Sequence, residues 1–295
     1  MTTNRSRRRT GIALAGVLVV LLALSACGRA KPQGPITVTT TYVALGDSYT
    51  AVSGTGPYTN GACYRSEDDY PSLVAEKLGL GGTFVDASCG GATSADLQAT
   101  QVIQSGGSNP PQLDSVTKDT KLVTLGMGLN NSKLLSFYPL YSCLPLNGKT
   151  QPACTSFLKM PESAIDNAIA TVGQQVRANI AAIREAAPNA RIVLVGYPRL
   201  VSATGACPSQ VPVPAKALAW SRHILIAVNT TLSATAKSAG VDYIDTYKAS
   251  AGHDVCSADP WVNGQREIPG KALEFHPFAA YHVAVADQIV ALLKK

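Results

Sequence analysis

Charge is scarce in this sequence. Only 15% of its 295 residues are Asp, Glu, Lys or Arg, and aromatics make up 6%. With 46% hydrophobic residues the chain is too apolar for a disordered polymer, and its 25 Gly and 18 Pro are too few and too aperiodic for a fibre. No CxxC spacing occurs among the seven cysteines, and no two histidines stand at metal-ligand spacing, so a zinc site is not expected. No internal repeat or second composition regime divides the chain. Acid is absent from the first 26 residues, where Arg5, Arg7, Arg8 and Arg9 cluster. That imbalance produces most of the formal +6, because the rest of the chain holds 21 basic and 19 acidic side chains, a net of +2. The charge therefore gives no reason to expect a nucleic-acid partner.

The arginines precede an uncharged stretch, Gly11 to Ala26, rich in Leu, Val and Ala. It is shorter than the roughly 20 residues needed to cross a hydrocarbon core and suits the apolar segment of a secretory signal. It ends in Leu24-Ser25-Ala26-Cys27, which is similar to a bacterial lipobox. Residues 1–26 are accordingly read as a lipoprotein signal peptide and Cys27 as the lipidated first residue of the mature chain. An uncleaved anchor, or a plain signal peptide with a chance cysteine, are the alternatives. More than one acyl chain on Cys27 would make membrane attachment stable. Ser6-Arg7-Arg8 has the paired arginines of twin-arginine export, but Thr10 and Gly11 depart from that pattern and leave the route open. Residues 27–37 read as a tether, followed by one domain over 38–295. The expected location is the outer face of the bacterial cytoplasmic membrane, with some protein secreted, and the expected state is a monomer.

Six cysteines remain: Cys63, Cys89, Cys143, Cys154, Cys207 and Cys256. An even number in an exported chain favours disulfides. Nearest-neighbour pairing, Cys63–Cys89, Cys143–Cys154 and Cys207–Cys256, is expected because each bond then staples a loop region between regular elements.

Short apolar runs rich in β-formers mark five strands, Thr41–Leu45, Thr83–Ala87, Lys121–Leu125, Arg191–Val195 and Asp242–Asp245. Helical patterns occupy Pro71–Leu78, Glu162–Ala187, Ala215–Ala239 and Phe278–Leu293. In the second, Ile165, Ile169, Val172, Val176, Ile180 and Ile183 form one apolar stripe. Alternating strands and helices predict a parallel α/β sheet covered on both faces, with chemistry beyond the strands' C-terminal ends. Gln101–Asp119 and Ser136–Lys159 lack strong periodicity and read as loops; Phe137, Tyr138 and Tyr141 are candidates to line an apolar site or to pack locally.

Four segments follow strands or open the last helix. Gly46-Asp47-Ser48-Tyr49-Thr50 places a serine at a strand-to-helix junction, where its hydroxyl is exposed and its N–H faces the helix's positive end. Ser48 also suits a helix cap. Thr50 stands where the GxSxG elbow needs Gly. Ser88-Cys89-Gly90-Gly91-Ala92-Thr93 allows close backbone approach to a ligand, or a simple turn. Gly128-Leu129-Asn130-Asn131 offers a side-chain amide as an oxyanion donor, or an ordinary turn residue. His276-Pro277 can bring an imidazole back over the sheet edge. Gly264 to Lys271 has P-loop-like residues, but the spacing is one too long and Ala272 stands where Ser or Thr is required.

Together these segments resemble the SGNH (GDSL) hydrolase family over nearly all the mature chain. Ser48 matches the nucleophile block, Gly91 the glycine block, Asn130 the GxND block and His276 the histidine block. The Cys-containing glycine block and Gly252–Val262 are similar to the family's three-disulfide secreted bacterial esterases and lipases. The resemblance implies a three-layer flavodoxin-like fold with a five-stranded parallel sheet of order 2-1-3-4-5. It also implies metal-free hydrolysis of acyl esters, with Ser48, Gly91 and Asn130 forming the oxyanion hole. Two positions depart from the family. Leu273 occupies the place of the Asp that usually orients the histidine, so the Leu273 carbonyl is expected to accept the His276 Nδ1–H in a Ser–His dyad; the Glu274 carboxylate is the rival, but its neighbouring position should point it elsewhere. Asn131 replaces the Asp of GxND. These departures leave one alternative, a catalytically silent envelope lipoprotein that uses the fold as a binding module.

Overall fold

Strand formation follows the distribution of β-branched and apolar residues. The computed structural model describes residues 1, 36–37, 39–52, 58–60, 62–104, 106–135 and 138–295, with backbone only at 58–60 and 138. The expected signal peptide, the lipidation site Cys27, most of the tether and Phe137 lie outside the described residues. The fold lies within Pro32–Lys295.

Five strands form the main sheet: β1 Tyr42–Gly46, β2 Phe84–Asp86, β3 Leu122–Gly126, β4 Arg191–Val195 and β5 Asp242–Ile244. All are parallel, in the order β2-β1-β3-β4-β5. The 2-1-3-4-5 expectation is met. Residues of β1 and β3 are buried throughout, whereas β2 and β5 at the edges are only partly covered. That contrast is what helices on both faces impose on central and edge strands.

The helices are α1 Ser48–Ala51, α2 Tyr70–Leu78, α3 Tyr138–Tyr141, α4 Pro152–Leu158, α5 Glu162–Ala186, α6 Ala215–Ala239, α7 Thr246–Ala249 and α8 Ala279–Leu293. The α5 stripe is buried at all six predicted positions, and α5 packs on α6 while α2 packs on α8. His282 of α8 ties that second pair to Val52, which follows α1. Its Nδ1 accepts the Tyr70 N–H at 3.0 Å and its Nε2 donates to the Val52 carbonyl at 3.0 Å. Burial lowers its pKa to about 4, so the ring is neutral and structural.

The two segments read as loops contain short elements. Gln101–Val102 pairs with Ser108–Asn109, a 3₁₀ turn covers Gln112–Ser115, and α3 and α4 lie within the second segment. Pro152 opens α4, and the Cys143–Cys154 disulfide ties α4 to the end of α3. A seven-residue helix held by a cross-link leaves little periodicity to detect. The pairings Cys63–Cys89, Cys143–Cys154 and Cys207–Cys256 are all present.

Candidate active site

The end of β1 is fixed before any functional group is reached. Gln112 clasps Gly46 on both sides, its Oε1 accepting the Gly46 N–H at 2.8 Å and its Nε2 donating to the Gly46 carbonyl at 2.9 Å. Thr50 folds beneath the strand so closely that a Cβ on Gly46 would lie 2.1 Å from its Oγ1. Only glycine fits there. Asp47 then caps α1, with Oδ1 accepting the Tyr49 N–H at 2.9 Å. Ser48 is the first residue of the helix and is 9% exposed.

Asp47 also reaches across the sheet. Its Oδ2 accepts the Tyr197 hydroxyl at 2.5 Å, and the Tyr197 oxygen accepts the Leu129 N–H at 3.1 Å. The elbow is thereby tied to the loop that carries Asn130. Burial raises the Asp47 pKa to about 7, opposed by the hydrogen bonds from Tyr197 and Tyr49.

The Gly91 and Asn130 loops are joined directly. Gly91 has φ +75°, the left-handed region, and only its neighbour Gln101 comes near a hypothetical Cβ, at 3.9 Å. Its glycine is required by backbone conformation rather than by space. The Cys63–Cys89 bond and the Gly90 N–H to Cys63 carbonyl bond of 2.9 Å anchor this turn. Asn130 Nδ2 donates to the Ala92 carbonyl at 3.1 Å, which leaves its second N–H for another acceptor. Asn131 binds the same turn: Oδ1 accepts the Ser94 N–H at 2.8 Å, while Nδ2 donates to Ser94 Oγ at 2.8 Å and Gln175 Oε1 at 2.7 Å. An amide both donates and accepts, so Asn131 supports the loop where the family has Asp.

His276 lies in a loop without regular structure. Tyr49, the residue after Ser48, stacks on its ring with centroids 5.6 Å apart and donates its hydroxyl to the Phe275 carbonyl at 2.6 Å. The nucleophile and histidine segments thus meet through one tyrosine. The expectation for Leu273 is corrected. His276 Nδ1 faces the Glu274 carbonyl at 2.7 Å, whereas the Leu273 carbonyl accepts the His276 backbone N–H at 3.2 Å and Asn263 Nδ2 at 3.0 Å. The reason is Phe275, whose φ of +55° reverses the chain and turns the preceding carbonyl towards the imidazole. A carbonyl only accepts, so Nδ1 carries the proton and Nε2 is the basic nitrogen. Burial lowers the His276 pKa, countered by the Glu274 carbonyl and then by the Glu274 charge.

Asn263 organises this loop. Its Nδ2 lies within hydrogen-bonding distance of the carbonyls of Arg266 (2.7 Å), Leu273 (3.0 Å) and Ala272 (3.2 Å). Its Oδ1 accepts the Gly264 N–H at 2.8 Å, and its backbone N–H donates to the His276 carbonyl at 2.9 Å. Sequence reading missed Gln112, Tyr49 and Tyr197, which act through contacts far along the chain, and Asn263, whose nearer contacts form no regular element. His223 pairs with Asp166 at 3.2 Å on the surface, and His253 stacks on Trp261 with centroids 4.2 Å apart; both are removed from these roles.

A model of the GDSL-like Lipase/Acylhydrolase family matches residues 44–284. "Lipase 2" of Streptomyces coelicolor is 30% identical, covering 96% of this chain and 95% of its own. A "Lipase" of Streptomyces rimosus is 31% identical, covering 88% and 89%. Among solved structures, the extracellular lipase of Streptomyces rimosus superposes with TM-score 0.67 at 27% identity, covering 86% of this chain and 99% of that one. Phospholipase A1 of Streptomyces albidoflavus NA297 shares the fold with TM-score 0.68 at 24% identity, covering 85% and 98%. With its strand order, its three disulfides and the segments that follow its strands, this chain belongs to the GDSL-like lipase/acylhydrolase family and is a carboxylic ester hydrolase.

Proposed function

We propose that the chain hydrolyses acyl esters through a Ser48–His276 dyad oriented by the Glu274 carbonyl. His276 Nε2 takes the Ser48 proton as Oγ bonds to the ester carbonyl carbon. The Ser48 and Gly91 backbone N–H groups and the Asn130 amide stabilise the oxyanion. Collapse of the tetrahedral intermediate breaks the bond to the alcohol oxygen, which takes the proton from Nε2 and leaves an acyl-enzyme on Ser48. Water, deprotonated by the same nitrogen, attacks that ester, and the acid is released as Ser48 regains its proton. The reading is carried by one observation above others: Nδ1 is committed to the Glu274 carbonyl at 2.7 Å, so Nε2 is the nitrogen left to act as base. Hydrolysis of a short-chain nitrophenyl ester tests it. Ser48→Ala should abolish turnover while leaving the fold intact, and retained turnover would remove Ser48 from the mechanism.

We further infer that residues 1–26 direct export, that Cys27 is lipidated, and that a tether to residue 37 carries a hydrolase domain over 38–295. Three disulfides suit an oxidising compartment. The protein expressed in a bacterial host should fractionate with membranes, and Cys27→Ser should shift it to the soluble fraction. An unchanged distribution would exclude Cys27 as the anchor.

A further inference from the structure

The Tyr141 hydroxyl has no part in the steps above, yet it donates to the Glu274 carbonyl at 3.2 Å. The same oxygen faces His276 Nδ1 at 2.7 Å. A carbonyl oxygen has two lone pairs; here one serves the imidazole and the other the phenol. The Tyr141 ring also lies edge-on against Phe275, with centroids 5.0 Å apart and planes at 81°. Phe275 is the left-handed residue that turns this carbonyl towards His276. One side chain therefore holds both the orienting oxygen and the residue that aims it.

Tyr141 is the last residue of α3 and stands two positions before Cys143, whose disulfide to Cys154 closes the following segment. Gln151 Nε2 donates to the Leu144 carbonyl at 2.7 Å and to the Tyr141 carbonyl at 3.4 Å, which fastens the same turn. From this cross-linked segment a single hydroxyl reaches the peptide that orients the base.

We propose that Tyr141 is a positioning residue for His276: its hydroxyl keeps the Glu274 carbonyl in line with Nδ1–H and couples the disulfide-closed segment to the base. The proposal rests on His276 acting as the base. A non-glycine residue in the left-handed region is strained, so the Glu274–Phe275 peptide keeps its orientation only while its neighbours fix it. Phe275 N–H is secured by the Gly264 carbonyl at 2.9 Å. On the oxygen side the phenol shares the carbonyl with Nδ1–H, which keeps its proton while Nε2 cycles. Without the phenol that oxygen is aligned less firmly, and the imidazolium formed during attack is less well stabilised. Ester binding in the ground state is unaffected, so the loss belongs to kcat rather than KM.

Tyr141→Phe deletes the hydroxyl and keeps the ring on Phe275. Steady-state hydrolysis of a short-chain nitrophenyl ester between pH 5 and 9 is measured beside the wild type and His276→Ala. The expected result is a kcat about tenfold lower with KM within about twofold. The acid limb of kcat/KM should move to lower pH, because a less well aligned Glu274 carbonyl favours the imidazolium less. The thermal unfolding midpoint should stay at the wild-type value, and the His276 Nδ1 proton should exchange with solvent faster by NMR. An unchanged kcat overturns the proposal. So does a loss confined to KM with an unmoved acid limb, which makes Tyr141 a substrate contact, and so does unaltered Nδ1–H exchange. Wild-type turnover by His276→Ala would instead overturn the reading of the base, whatever the tyrosine variant does.

Discussion

Gly46–Thr50 and Val262–Pro277 carry the two halves of the proposed reaction, and they are held in contrasting ways. The first continues a central strand whose residues are wholly buried. Its direction is set by β1, its turn by the Asp47 cap, and its close packing by Thr50 between two glycines. The second has no helix or strand of its own. Two isolated bridges, Val262 with Pro277 and Ile268 with Ala272, close it, and one left-handed residue aims the orienting carbonyl. The elbow rests on regular elements, to which Gln112 and Tyr197 add distant bonds, whereas the histidine loop rests on single side chains, Asn263 within it and Tyr49 and Tyr141 from outside. A segment of the first kind should tolerate loss of one side chain better than one of the second kind.

Asn263→Ala is the sharpest way to break that contrast. The side chain is buried and serves three carbonyls and one N–H of the loop. Deleting it removes this partner from the Gly264 N–H and the Arg266 carbonyl, a cost of about 2–4 kcal/mol, and leaves the Leu273 carbonyl beside the reversed peptide to the His276 N–H. The expected outcome is a kcat about a hundredfold lower together with a lower denaturation midpoint. Both follow from kinetics and urea unfolding on one preparation. A kcat within twofold of the wild type would show that the loop is held by its backbone bridges alone.

The same contrast explains what was legible beforehand. Strands β1 to β5 and the long helices were readable because burial on both faces, or on one stripe, leaves a pattern over many consecutive residues. Ser48, Asn130 and His276 were legible as candidates because each follows or opens a regular element and carries chemistry in its own side chain, and Gly91 because paired glycines after a strand allow close backbone approach. The orienting group was misplaced by one residue, from Glu274 to Leu273. A main-chain carbonyl has no sequence identity, and which one faces Nδ1 depends on the φ of Phe275, a non-glycine residue that gives no warning of a left-handed turn. Gln112 and Tyr197 escaped for a related reason. Their partners, Gly46 and Asp47, lie 66 and 150 positions away, and no local pattern records such a meeting.

Asp47→Asn sharpens the elbow's side of the comparison through pH. An unfolded aspartate ionises near pH 3.9, whereas burial raises Asp47 to about 7. Between those values the unfolded chain has lost a proton that the folded chain keeps. The contribution of Asp47 to stability is therefore complete below about pH 4 and declines as pH rises to 7, by about 4 kcal/mol in all. His282 acts in the opposite sense: lowered to about 4, it adds stability as pH rises towards 6.5. The two slopes offset each other in the wild type. Removing Asp47 should uncover the rising slope, so the variant gains on the wild type steadily from pH 4 to 7 in urea unfolding. A difference independent of pH would mean that Asp47 ionises at its ordinary value inside the elbow.

Glu274→Gln should have the smallest effect, and its smallness is informative. The side chain changes while the orienting carbonyl, which belongs to the backbone, stays in place. What is lost is the carboxylate's share in countering the desolvation of His276, which ranks below that of the carbonyl. The base should therefore become slightly easier to deprotonate, and the acid limb of kcat/KM should move to slightly lower pH, with kcat within about threefold. A loss of several orders of magnitude would transfer the orienting role from the carbonyl to the carboxylate. It would also sharpen the contrast drawn above, because the histidine loop would then rest on one more single side chain rather than on its backbone.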